Sequence, residues 1–325
     1  MTRRLLAITM ILMFAVAALA VPPDVGLKSA TDLLNAGHAD EAIVLLDSRI
    51  KAKPQDAEAY NLLGRTYYAL GLWDDAASAG EKAVALDPGN SAYHMWLGRI
   101  YGEKADHASF VTAAGLVKKI RTEFERAVEL DARNLDARSD LAEFYLEAPG
   151  FMGGGKDKAR QQADAMARQD AAAAHWLEAR IAEKDKRPAD AEREYKAAIE
   201  TSGHQARYWL NLASFFKHQR RYNEMESAIS SAVNSDRKKP VNYMDAATLL
   251  VGAGRNFIGA AQLVRKYLTG GTTTEEAPTF EAHYVLGEIL EKQGDKTGAA
   301  DEYRAALQFA KDYAKAKEGL ARVQR

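Results

Sequence analysis

Between Ala57 and Pro88 apolar residues recur at steps of three and four. Tyr60, Leu63, Tyr67 and Leu70 fall on one face of a helix. Gly71 breaks the run, Asp74 opens a second helix, and Asp87-Pro88 stops it. The stretch predicts two amphipathic helices joined by a tight turn. The pattern then returns. Pro54 and Pro88 lie 34 residues apart, as do Ala42 and Ala76, Leu63 and Leu97, Gly64 and Gly98, and Tyr67 and Tyr101. Ala179 and Ala213, Ala198 and Ala232, and Ala213 and Ala247 keep the same spacing. One helix pair cannot bury its own apolar face, whereas stacked copies can. Gly64, Gly98, Ala142, Ala179, Ala213, Ala247 and Gly287 occupy the small-residue slot of the first helix. A bulky side chain there would force paired helices apart. Leucine at Gly98 should overpack, while alanine, present in sibling units, should fit.

The run Tyr60-x2-Leu63-Gly64-x2-Tyr67, followed by Ala76, Ala83 and Pro88, resembles the tetratricopeptide repeat (TPR), a helix–turn–helix unit of 34 residues. The resemblance covers residues 21–325. It is clearest in units two, three, five, six and eight and more degenerate in one, four and seven. It implies an all-α, right-handed solenoid of about eight helix pairs with a C-terminal capping helix over 312–325. Polar first and last helices suit ends that face water. The resemblance also implies a non-enzymatic scaffold for a protein or peptide partner.

Two units depart from the period. In unit three the second helix arrives ten residues late, and Phe110, Ala114, Val117 and Phe124 keep helical spacing. One long helix near 108–130 is expected, its first turns projecting beyond the stack. Unit four carries Glu147-Ala-Pro-Gly-Phe-Met-Gly-Gly-Gly155-Lys-Asp-Lys158 between its helices. That loop resembles one in some exported bacterial TPR proteins. The insertions, near 102–121 and 147–157, fall at equivalent points and so on one edge, where repeat proteins often carry function. Gly80 stands where the pattern wants an aromatic, leaving room for Trp96 or Phe124. Gly270 to Pro278 reads as a loop.

Residues 1–20 read as a cleaved export signal: Arg3 and Arg4, an apolar run to Leu19, and Ala18-Leu19-Ala20. The apolar run is short for a membrane anchor. Periplasmic or secreted localisation follows, with the membrane met only through this signal. The chain has no cysteine, which excludes thiolate metal sites, disulfides and a cysteine nucleophile. A formal charge of −1 gives no basic stripe for nucleic acid.

Gly150-Phe-Met-Gly-Gly-Gly155-Lys156 approaches a phosphate-binding loop, but Asp157 replaces the Ser/Thr and no strand precedes it. A nucleotide binder or enzyme using this loop is the alternative function. A structural part of an envelope or secretion assembly is another. Ser235-Asp-Arg-Lys238 and Lys296-Thr-Gly298 match two serine-enzyme signatures without their third element. The seven histidines show no zinc spacing, so no catalytic residue, metal or cofactor is assigned.

Two binding surfaces compete. Arg65, Arg99 and Arg180 follow the small slot, on the face that lines a TPR groove, with Asn61, Tyr68, Met95 and Trp176 one turn away. Arginine there suits an acidic or carboxylate-ended partner. The insertion edge offers Phe110, Val111, Phe151 and Met152 for an apolar contact.

Overall fold

In a computed structural model, residues 23–235, 241–271 and 273–325 are described. The export signal and most of Ser235–Lys238 lie outside them. Helices pair in chain order. α1 (Pro23–Asn35) pairs with α2 (Ala39–Ala52), α3 (Ala57–Leu70) with α4 (Trp73–Leu86), and α5 (Ser91–Asp106) with α6 (Phe110–Leu130). α7 (Leu135–Glu147) pairs with α8 (Lys156–Met166), α9 (Ala171–Lys184) with α10 (Pro188–Thr201), and α11 (Ala206–His218) with α12 (Tyr222–Ser235). α13 (Val241–Gly252) pairs with α14 (Phe257–Thr269) and α15 (Thr279–Lys292) with α16 (Lys296–Phe309). α17 (Ala314–Val323) follows alone. Among the described residues there is no named strand, and no helix is long and apolar enough to cross a membrane. The fold is an all-α helical-repeat solenoid.

Local chemistry starts these helices. Asp56, Asn90, Asn134 and Asp170 cap α3, α5, α7 and α9, each side chain accepting a first-turn N–H. That satisfies an amide the helix itself cannot. Gly71, at φ +74°, ends α3 in the left-handed region.

The small slot does what its spacing implies. Ala142, Ala179, Ala213 and Ala247 are fully buried. Its demands differ by unit. At Gly98 an added Cβ would lie 2.4 Å from Phe124 Cε1, and at Gly287 2.6 Å from Tyr303. Alanine therefore does not fit freely at Gly98, contrary to expectation. Gly80 makes room for Leu97 and Ile100 rather than for Trp96 or Phe124. α6 begins at Phe110 and runs 21 residues, about 31 Å at 1.5 Å per residue.

The last helix keeps an exposed face, with only Ala316, Gly319 and Val323 buried, yet the two ends of the solenoid are not apart. They meet. Thr279 Oγ1 donates to Ala36 O at 2.7 Å, Lys311 N–H to Asp40 Oδ2 at 3.0 Å, and Glu275 N–H to Asn35 Oδ1 at 3.2 Å. Ala39 and Leu70 share an apolar cluster with Phe280, Ala310 and Tyr313. The His38 ring packs edge-on against Phe309 at 5.0 Å. Gly37, at φ +80°, lets the α1–α2 turn approach Thr279: a Cβ there would lie 2.5 Å from its nitrogen. The α1–α2 turn thus seats on the segments around Thr279 and Ala310, and the repeat array closes on itself.

Candidate partner-binding surfaces

The arginine face is built from first helices, and all three arginines already hold carboxylates. Arg99 Nε donates to Asp140 Oδ2 of the next unit at 2.6 Å. Arg180 grips Glu143 with two bonds of 2.8 Å and reaches Glu147 at 3.4 Å. Such bidentate pairing is the strong form of the contact, and it holds the Arg180 guanidinium above its ordinary pKa. Arg65 pairs across the closure with Glu275. Arg65 and Arg99 both lie over the Trp96 ring, at 4.9 and 5.1 Å from its centroid.

Tyr68 stands beside them, edge-on to Trp73 and Trp96. Burial, then the charge of Glu103, pushes its hydroxyl pKa up to about 12. Trp176 is half-buried against the cores of units four to six. Asn61 and Met95 are not on an open surface. Both are 6% exposed, and Met95 packs on Ala127 and Ala137, because α7 of the next unit covers that end of α5. These two groove assignments are corrected to core.

The closure creates a cavity of about 400 Å³ between the two ends of the array, walled by Tyr68, Trp96 and Tyr313. Glu276 and Glu281 line it and also line a neighbouring cavity of about 530 Å³ that holds Asp245. Burial raises the Glu281 carboxyl against the pull of Lys315. Glu275 and Glu276 carry no signal in a single sequence. They sit in a loop 210 residues from Arg65, and no periodicity links the two.

The insertion edge is open. Phe110, Val111 and Phe151 are 84%, 82% and 86% exposed, and Met152 is half-buried. The two insertions touch, since a Cβ at Gly153 would meet the Arg121 guanidinium of α6. The glycine loop is not a phosphate cradle. It follows helix α7 and forms a single 3₁₀ turn, Gly150–Met152. The N–H groups of Met152, Gly153, Gly154 and Gly155 donate to Pro149, Gly150, Pro149 and Tyr145 carbonyls. Lys156 is paired with Asp185. A phosphate loop needs those amides free.

The histidines also follow the repeat. His94, His175 and His283 each stand four residues before the small slot and meet Glu123, Glu194 and Glu302 of the second helix. They tie helix pairs together.

The sequence model of the tetratricopeptide repeat matches residues 27–91 and 244–315. The chain is a tetratricopeptide-repeat protein. Its array also aligns with yeast Tom70 at a TM-score of 0.58 and 16% identity, covering 98% of this chain and 67% of that one. This supports the same fold and nothing finer. Cellulose synthase operon protein C of Escherichia coli (strain K12) is 38% identical over 63 residues, 19% of this chain and 5% of that protein. The putative counterpart from Escherichia coli O157:H7 shows 38% over 63 residues, 6% of its length. The chain thus matches only a small fraction of these relatives. The TPR fold makes the molecule a protein-interaction scaffold, typically without catalysis.

Proposed function

We propose that this TPR protein is an exported, non-enzymatic scaffold, periplasmic or secreted, that holds a protein partner on its insertion edge. The observation that carries the reading is exposure. Among the described residues five large apolar side chains are strongly exposed, and three of them, Phe110, Val111 and Phe151, lie on that edge. Isolated apolar residues on a surface mean little, but the adjacent Phe110 and Val111, with Phe151 on the insertion that touches the same helix, support a contact. The groove arginines, by contrast, already hold carboxylates of their own chain.

The test is site-specific photocrosslinking in the native host. A crosslinker at Phe110 or Phe151 should capture one partner that a crosslinker at Arg65 or Arg99 does not. The triple change Phe110→Ser, Val111→Ser, Phe151→Ser should abolish capture of that partner, and raised salt should not, since apolar contacts are not screened as charges are. Binding that survives the triple change and collapses with salt rejects the edge.

A further inference from the structure

Glu275 is presented by a built turn. Ala277 N–H donates to Thr274 O at 3.1 Å, closing a tight turn with Glu275 and Glu276 at its tip. The fully buried Tyr267 holds the turn from beneath. Its hydroxyl donates to Ala277 O at 2.5 Å and accepts from Thr274 N–H at 3.1 Å. The tip then reaches across the closure. Its Glu275 carboxylate takes Arg65, and its Glu275 N–H takes Asn35. Glu276 makes no ion pair among the described residues, is exposed, and lines both open cavities.

Arg65 differs from its siblings in one respect. Arg99 and Arg180 bind carboxylates of adjoining units, which stay adjacent however the solenoid bends. Arg65 binds a carboxylate from the far end of the array, so its pairing lasts only while the array is closed. Arg65 Nε is buried without a partner, so this guanidinium has donor capacity that Glu275 does not use. Its flat face is fixed on Trp96.

We propose that the surface around Arg65 and Trp96 is a binding site for an extended acidic segment of a partner polypeptide. The Thr274–Ala277 turn is the stand-in that fills it in the closed array. A partner carboxylate on Arg65 displaces Glu275 and so removes one of the contacts that hold the closure, which weakens it. The occupant is argued from the chain's own: an acidic turn, Thr-Glu-Glu-Ala, seated on that guanidinium. This surface is distinct from the insertion edge, and neither reading depends on the other.

The probe is a fluorophore-labelled, end-blocked peptide copying residues 271–280, titrated into the purified full chain. Glu275→Ala vacates Arg65 and should tighten peptide binding about tenfold over the unmodified protein, because apparent affinity scales with the fraction of competent molecules. Adding Arg65→Ala should abolish binding, as should changing both glutamates of the peptide to glutamine. Amide exchange should quicken at Asn35–Asp40 and Lys311 in Glu275→Ala, while circular dichroism keeps its helical signal. The swap of Arg65→Glu with Glu275→Arg should restore slow exchange and reject the acidic peptide. Equal peptide affinity in Glu275→Ala and the unmodified protein overturns the proposal, and so does binding that persists without Arg65 or in the swap.

Discussion

Replacing Gly98 by alanine sets two effects of opposite sign against each other. In a helix interior alanine is favoured over glycine by about 1 kcal/mol. At Gly98, however, the new methyl would sit 2.4 Å from Phe124 Cε1 and 2.6 Å from Cδ1, against about 3.5–4.0 Å for carbons in contact. Phe124 is 6% exposed and belongs to the core shared by units two to five, so its ring moves only by displacing neighbours. Overpacking of this kind costs about 1–3 kcal/mol. Unit five limits the estimate: the equivalent Ala179 and Tyr195 are both fully buried, so a helix pair can settle around an alanine facing an aromatic. The net expectation is a loss of about 1 kcal/mol, and a larger one for Gly98→Leu. Gly102, one turn later in α5, meets nothing within 4 Å. There alanine should gain about 0.5–1 kcal/mol. Urea melts followed by circular dichroism measure both as midpoint changes at constant slope. In Gly98→Ala combined with Phe124→Leu the ring is gone, and the two changes should couple by about 1 kcal/mol. Gly98→Ala stabilising as Gly102→Ala does, or adding independently to Phe124→Leu, would refute the close-packing account.

Three further outcomes are expected. Desolvation of the carboxyl, then the charge of Glu276, raises Asp245 from 3.8 to about 6, but its side chain keeps a solvent-exposed face that screens the effect, so its small stability contribution is complete below about pH 4 and is lost as pH rises through 6; Asp245→Asn should raise the melting midpoint slightly at pH 7.5 and leave it nearly unchanged at pH 4, and an equal gain at both would count against a raised carboxyl. Tyr267→Phe strands Ala277 O and Thr274 N–H, worth about 1–3 kcal/mol, and should quicken amide exchange in Thr274–Ala277 with the helices unaffected; unchanged exchange there would contradict the clamp. N-terminal sequencing of exported material should begin at Val21 or within a few residues, and intact Met1 protein free in the cytosol would end the export reading.

The repeat register was legible because it is one-dimensional. Tyr60, Leu63 and Tyr67 declare a helical face, and the 34-residue echo through Leu97 and Tyr101 declares what that face packs against, since each unit touches chiefly its neighbours. The long helix from Phe110 and the glycine loop at Phe151 were visible for the same reason: an insertion shows against a fixed period. Two things needed three dimensions. Asn61 and Met95 share the helical face of Arg65 and Arg99, yet neighbouring helices bury the first pair and leave the second pair partly exposed. Spacing along one helix cannot say how the next unit leans over it. The closure is the larger case. Small angles between successive units accumulate over eight pairs until Asn35 and Asp40 reach Glu275 and Lys311, and no single unit encodes that sum. The sequence by itself determined helices, register and edges. Tertiary structure decided that the array closes, and with it that the acid facing Arg65 comes from the chain's own far end.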